Sequence, residues 1–171
     1  MRPRLRGCLV GAIVAGGLFL LVLSVVMAGR DEPAAPKPRT TKSGSPVEVV
    51  EEKRLDERRM ELTIRSPALD ATTKVRLLLP RGWESRKDWP VLWLLHGGLD
   101  NYASWTAKTD VDALTRDTGV LVVMPDGGKC GSYSDWWNGG DGGPPRWETY
   151  HLKELLPLLE SRYRAGGERA V

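Results

Sequence analysis

Two cysteines, two histidines and one phenylalanine are all that 171 residues hold of these types, and each scarcity removes a class of function. Cys8 lies at the edge of a long apolar run and Cys130 in a polar loop, so the two are not expected to form a bridge. Cys130 is then either a buried thiol or half of a bridge whose partner is absent. His96, Cys130 and His151 lack ligand spacing, and "GGDGGPP" (139–145) offers one carboxylate where calcium wants several oxygens, so neither a metal nor a cofactor is expected. Charge is scarce too. The net charge of +3 is matched by Arg2, Arg4 and Arg6 alone. The remainder is balanced and carries no block of one sign, which gives no support to a nucleic-acid partner. No internal repeat is visible.

What is present is strongly ordered along the chain. Residues 8–28, "CLVGAIVAGGLFLLVLSVVMA", contain no charge and follow the three arginines. The run is long enough to cross a bilayer, while Val26-Met27-Ala28 would also serve as a small-residue cleavage site. It reads as either a retained membrane anchor or a cleaved signal, and both place the rest of the chain outside the cytoplasm. "LRGC" (5–8) resembles a lipoprotein cysteine site but precedes the apolar run, so lipidation there is rejected. Residues 29–46 hold four prolines and few apolar groups and read as a spacer. Residues 47–59 read as the spacer's tail or an edge element, leaving 60–171 as the folded domain.

Within that domain the patterns alternate. "ELTIRS" (61–66) and "KVRLLLP" (74–80) read as strands, and "PVLWLL" (90–95) as a third, the most buried. Residues 103–118 turn helical, with Thr109 as an N-cap, Asp112 three residues on, and Gly119 as the stop. "VLVVMP" (120–125) is another strand. A glycine- and tryptophan-rich loop fills 126–147. Residues 148–163 form an amphipathic helix with Leu152, Leu155, Leu156 and Leu159 on one face and Pro157 as a kink. "AGG" closes it and "ERAV" opens a further strand. This order specifies an α/β fold with a parallel sheet.

"PVLWLLHGGLDN" (90–101) carries the chemistry. A buried strand stops at His96 and two glycines, where the backbone can approach another group closely. A tight turn without chemistry would read the same way. Tyr133, Trp136, Trp137 and Trp147 sit in or beside the glycine-rich loop, where they could stack on a sugar, line an acyl channel, or pack the loop. Asp126 and Asp135 could order that loop or touch substrate. His151 reads as an exposed polar-face residue of the last helix.

Together "LLPRGW…WPVLWLLHGGLDNYASWT", "GVLVVMPDGG", "GSYSDWW" and "WETYHLKELLPLLESRYRA" resemble the putative-esterase branch of the α/β-hydrolases. That branch includes S-formylglutathione hydrolases, feruloyl and other carbohydrate esterases, and secreted mycolyltransferases. The resemblance covers about residues 60–171 and implies an α/β-hydrolase-like, mostly parallel sheet with flanking helices. It places a backbone oxyanion-hole donor at Gly98 or Leu99 and makes His96 a loop histidine rather than the catalytic base. The candidate substrate-binding residues are His96, Tyr133, Asp135, Trp136 and Trp137. The fold orders its triad as Ser, then Asp or Glu, then His, with the serine in G-x-S-x-G. None of the nine serines here stands in that motif, and Ser132 and Ser134 come nearest. The expectation is therefore an exported serine-type carboxylic ester hydrolase or acyltransferase, acting on an ester, acyl-sugar or lipid substrate. Its sequence is read as truncated before the nucleophile elbow, and the chain alone is expected to be inactive. The alternatives are a non-catalytic, membrane-tethered glycan- or lipid-binding module and a non-functional gene fragment.

Overall fold

The computed structural model describes residues 46–130, 133–135 and 142–171. All belong to the second of two compact units, Thr41–Val171. The apolar run at 8–28, most of the spacer, and Ser132, Trp136 and Trp137 lie outside the described residues. Among the described residues no helix is long and apolar enough to cross a membrane.

Six strands form one sheet: β1 (Glu48–Arg54), β2 (Arg59–Ser66), β3 (Ala71–Leu78), β4 (Trp89–Trp93), β5 (Leu121–Pro125) and β6 (Ala165–Ala170). Their order across the sheet is β1-β2-β3-β5-β4-β6. Pairing is antiparallel from β1 through β2 and β3 to β5, and parallel from β5 through β4 to β6. Two short helices, α1 (Ser104–Lys108) and α2 (Val111–Leu114), connect β4 to β5. Between β5 and β6 run α3 (Trp147–Thr149), a π-helical segment (Tyr150–Leu155) and α4 (Leu156–Arg162). The layered α/β class expected from the alternation is the one observed.

Of the two readings of residues 47–59, the edge element is the one observed. β1 is a solvent-facing edge strand, and Arg58 is buried at 7% exposure. Its guanidinium donates to the Leu79 and Thr115 carbonyls (2.9 and 2.8 Å), to the Thr115 hydroxyl (2.7 Å), and to Asp112 Oδ1 (2.9 Å). A charged residue in a charge-rich stretch looks solvated in sequence; here these four acceptor contacts make its burial tolerable.

β5, not β4, is the most buried strand. All five of its residues are buried, whereas β4 alternates, with Pro90 and Leu92 only half-buried on its less covered face. Leu121 and Val123 of β5 face a core shared with Met60, Leu62, Ile64, Val75 and Leu77. Tyr150, Leu155, Leu158 and Leu159 close that core from the helical side. Val122 and Met124 face a smaller cluster with Leu78 and Val111. An apolar run without alternation is what two covered faces require.

Three further expectations need correction. Residues 103–118 are two short helices rather than one, since Thr109 is extended (φ −139°, ψ 166°) and closes α1; its hydroxyl takes the Val111 N–H at 3.3 Å. Leu152 is exposed at 52% while His151 is buried at 8%. The π-helical segment before Pro157 adds a residue per turn and rotates the buried face away from Leu152. Finally, "AGG" lies inside β6; the helix ends at Arg162 with Tyr163 as its C-cap, and Arg164 (φ 54°) makes the turn.

Candidate active site

Topology brings three segments to one end of the sheet. β4 and β5 are parallel, so the loops after Trp93 and Pro125 leave side by side. β3 runs antiparallel to β5, so its first residues, from Ala71, lie at the same end. The Leu94 N–H donates to Val123 O (2.9 Å), and the Trp105 indole N–H to Leu95 O (3.2 Å), keeping the chain in line as far as His96. Across the gap, the Asp126 N–H donates to Lys74 O (3.0 Å).

His96 fastens the two loops together. Its Nδ1 lies 2.8 Å from Gly97 O, and a carbonyl only accepts, so Nδ1 carries a proton. The Gly127 N–H donates to Nε2 at 2.9 Å, which makes the ring the neutral Nδ1–H tautomer. Asp126 Oδ1 stands 3.1 Å from the same Nε2 and accepts the Gly128 N–H, also at 3.1 Å. The side chain is 1% exposed. Both ring nitrogens are spent on main chain, so His96 shapes the loop.

Tyr133 holds the same residue from the other side. Its hydroxyl accepts the His96 N–H (2.7 Å) and donates to the His96 carbonyl (3.2 Å). Burial pushes the phenol up to about 12 against the opposing pull of the His96 backbone, so it stays protonated at neutral pH. The ring packs where a side chain on Gly127 would sit: a Cβ there would lie 2.4 Å from it. Gly128 (φ 73°) is constrained likewise by Trp147, 2.9 Å from its would-be Cβ.

Between these anchors lie the two candidate oxyanion donors. Leu99 (φ 68°) directs its N–H to Lys129 O at 2.7 Å while its side chain is 94% exposed. That N–H is occupied. Gly98 is exposed, and its N–H has no partner among the described residues. A Cβ at Gly98 would touch only Cys130 O, at 3.7 Å, and one at Gly97 nothing within 4 Å. The close approach expected at these glycines is therefore absent among the described residues. What the geometry provides is one open N–H on a loop whose neighbours are fixed.

The other expected site residues divide. Asp135 caps the last helical stretch: its carboxylate accepts the Thr149 N–H (3.0 Å) and hydroxyl (2.7 Å). Partial burial would raise its pKa, but these bonds and the Arg146 charge outweigh that and hold it below the ordinary range. Trp136 and Trp137 lie outside the described residues. Cys130 is exposed and free, not buried. Among the described residues no cluster of His, Cys, Asp or Glu could hold a metal ion.

The sequence reading missed the part His151 plays. It sits with Nδ1 2.6 Å from Trp147 O and Nε2 3.0 Å from Asp126 O, its ring against Tyr133 at 5.2 Å between centroids. Burial lowers its pKa, partly offset by the two carbonyls. It stands four and eight residues before the buried Leu155 and Leu159, a spacing that puts it on their helical face and that the sequence reading passed over. Asp126 did have a signal, since Asp-Gly-Gly after a strand is an Asx-turn sequence.

The profile of the family described as "Putative esterase" matches residues 66–171. The chain belongs to this family. A Mycobacterium tuberculosis protein named as an esterase is 32% identical over 127 residues, 73% of this chain and 28% of that protein. The Mycobacterium leprae diacylglycerol acyltransferase/mycolyltransferase Ag85A is 28% identical over 169 residues, covering 92% of this chain and 45% of that one. A solved S-formylglutathione hydrolase from Agrobacterium tumefaciens superposes with a TM-score of 0.46 at 18% identity, over 68% of this chain and 48% of that one. This esterase-family chain thus spans less than half the length of these relatives.

Proposed function

We propose that the chain carries the oxyanion side of an exported serine-type carboxylic ester hydrolase or acyltransferase. The observation behind this reading is the exposed, unpartnered N–H of Gly98 beside the occupied N–H of Leu99, on a loop locked by His96 and Tyr133. In acyl transfer a serine oxygen adds to the ester carbonyl, whose oxygen takes the negative charge. The tetrahedral intermediate collapses as the alcohol leaves with a proton from the base; water or an acceptor hydroxyl then attacks the acyl group and the serine regains its proton. A fixed N–H aimed at the charged oxygen is worth about 10²–10³ in rate.

Nucleophile, acid and base belong, in this proposal, to sequence continuing past β6. Two facts support it: no serine here stands in G-x-S-x-G, and the relatives are more than twice as long as the matched region. Export, with or without a retained anchor, is supported by the uncharged run at 8–28 behind three arginines.

Two measurements test the reading. The 171-residue chain should hydrolyse p-nitrophenyl butyrate no faster than background. In a protein continuing past Val171, Gly98→Pro, which deletes the N–H, should lower kcat about 10²–10³-fold, while Gly98→Ala, which keeps it, should not. Turnover by the short chain that survives rigorous purification, or a Gly98→Pro enzyme with unchanged kcat, overturns it.

A further inference from the structure

Gly97 to Asp100 form a turn, closed by the Asp100 N–H on the Gly97 carbonyl at 3.2 Å. Leu99, its third residue, has φ 68°, while neither Gly97 nor Gly98 has a positive φ. That is the type II arrangement, which ordinarily places glycine third. The sequence Gly-Gly-Leu sets its glycines too early and leaves a leucine in the left-handed region. The cost is about a factor of ten in an equilibrium constant. Packing does not offset it, because the Leu99 side chain is 94% exposed. What opposes the strain is one bond, from the Leu99 N–H to Lys129 O at 2.7 Å, worth a comparable factor.

The ends of the turn are pinned and its middle is not. The Gly97 carbonyl also accepts the His96 Nδ1–H at 2.8 Å, and the Tyr133 hydroxyl holds the His96 N–H. At the other end the Asp100 carboxylate pairs with Lys108, and the Asn101 N–H donates to Ser104 Oγ at 3.0 Å. The middle peptide joins the Gly98 carbonyl to the Leu99 N–H, and that carbonyl has no partner among the described residues. Rotating this peptide by half a turn converts type II into type I, with Leu99 at a φ of about −90° that costs a leucine nothing. Only the bond to Lys129 O is lost. In type I both central residues have right-handed helical angles, and successive N–H groups of such residues point to one side. The Leu99 N–H then stands beside the exposed Gly98 N–H.

We propose that the Gly98–Leu99 peptide is a two-position switch in the candidate oxyanion loop. One position offers a single free N–H, at Gly98; the other offers two convergent ones. An anionic oxygen favours the second position, because only there does it receive both bonds. Strain at Leu99 sets the balance, so Leu99 is a positioning residue. That the oxygen is the oxyanion of an ester reaction rests on the esterase reading above, whereas the switch rests on the turn alone.

The test is NMR of the isotopically labelled full chain. Relaxation dispersion should show exchange at Gly98 and Leu99, with a minor state populated at about 1–10% and a right-handed Leu99 Cα shift. His96 and Gly127, both anchored, should show none. Leu99→Gly removes the strain and should lower the minor population about tenfold. Leu99→Ala keeps a Cβ in the same conformation and should leave the population within about twofold of wild type. Circular dichroism checks that each variant is folded. No exchange at Leu99, equal exchange at His96 and Gly127, or a minor population unchanged by Leu99→Gly overturns the switch. In a protein continuing past Val171, Leu99→Gly should have a kcat about tenfold below that of Leu99→Ala, with KM little changed; equal kcat values overturn the catalytic role. A switch absent by NMR while Gly98→Pro still lowers kcat removes this proposal and leaves the esterase reading. Exchange with kcat unmoved by Gly98→Pro removes the esterase reading, and with it the oxyanion as the ligand of the switch.

Discussion

Replacing Tyr133 by phenylalanine removes one oxygen and keeps the ring that packs against Gly127. That oxygen makes two bonds to one residue, accepting the His96 N–H at 2.7 Å and donating to its carbonyl at 3.2 Å. His96 is 4% exposed, so its N–H would be left buried and unpaired, a penalty of about 1–3 kcal/mol. The carbonyl has a second lone pair and relaxes more easily, so about 2 kcal/mol is expected for the whole change. The loss falls on the loop that also holds the Leu99 N–H on Lys129 O. If the loop opens as a unit, about 2 kcal/mol corresponds to roughly thirtyfold faster amide exchange at Leu99. Urea unfolding measures the first quantity and hydrogen exchange the second. The phenol is pushed up to about 12, so neither effect should vary across neutral pH. A Tyr133→Phe chain within about 0.5 kcal/mol of wild type, with Leu99 protection unchanged, refutes the clamp.

Arg58→Met should cost about 3 kcal/mol in urea unfolding, the low end for breaking a buried ion pair, because Asp112 keeps Arg116 at 2.9 Å as a second partner; a near-neutral result would show that the apolar stem carries the site. Thr73→Val should stabilise the chain by about 1 kcal/mol, since it deletes a buried hydroxyl without a partner, and measurable destabilisation would mean the hydroxyl is engaged. Acid should expose the cap at Asp135. Its folded pKa is depressed, so its contribution is complete above the unfolded value near 3.9 and is lost as pH falls through the folded one. The stability gap between wild type and Asp135→Asn should therefore be widest at neutral pH and close in strong acid. His151 titrates higher but with the same sign: its depressed pKa favours the neutral ring, so stability should fall as pH drops through about 6.5 and below, and His151→Leu should flatten that segment of the profile.

The sequence made the sheet legible because burial on two faces leaves a mark that burial on one does not. "LVVM" in β5 could sit nowhere but between two layers, and all of it is buried. β4 carries an equally apolar run, yet two of its five residues are only half-buried, because apolarity records what a strand tolerates rather than which neighbours it has. The candidate loop was legible for a different reason: a strand that halts at His96-Gly-Gly declares a change of backbone direction, and its family resemblance supplied the chemistry. What stayed hidden depended on contacts between segments distant in sequence. Nothing local marks Arg58 as buried, because its acceptors come from residues 79, 112 and 115. His151 is a different case: it lies four and eight residues before the buried Leu155 and Leu159, so the helical period already placed it on their face. Asp135 is bound at a distance as well, since its partner Thr149 is fourteen residues away.

The loop geometry also explains why a histidine stands at position 96 although it cannot act as a base. The Gly97 carbonyl and the Gly127 N–H need, respectively, a donor and an acceptor held a fixed distance apart in one buried plane. A neutral imidazole supplies both on a rigid ring with a single proton, whereas an ammonium would supply donors only and a carboxylate acceptors only. The choice of tautomer is then dictated by the main chain: Nδ1–H answers the β4 loop and Nε2 answers the β5 loop. Turning the Gly97 carbonyl toward the ring aligns the peptide unit that also contains the Gly98 N–H, because carbonyl and amide of one peptide bond lie in one plane and point in opposite directions. His96 thereby orients the Gly98 N–H away from itself, on the exposed side of the loop, without touching it. The residue that looks most like chemistry in this sequence works on geometry, and the atom it positions belongs to a glycine.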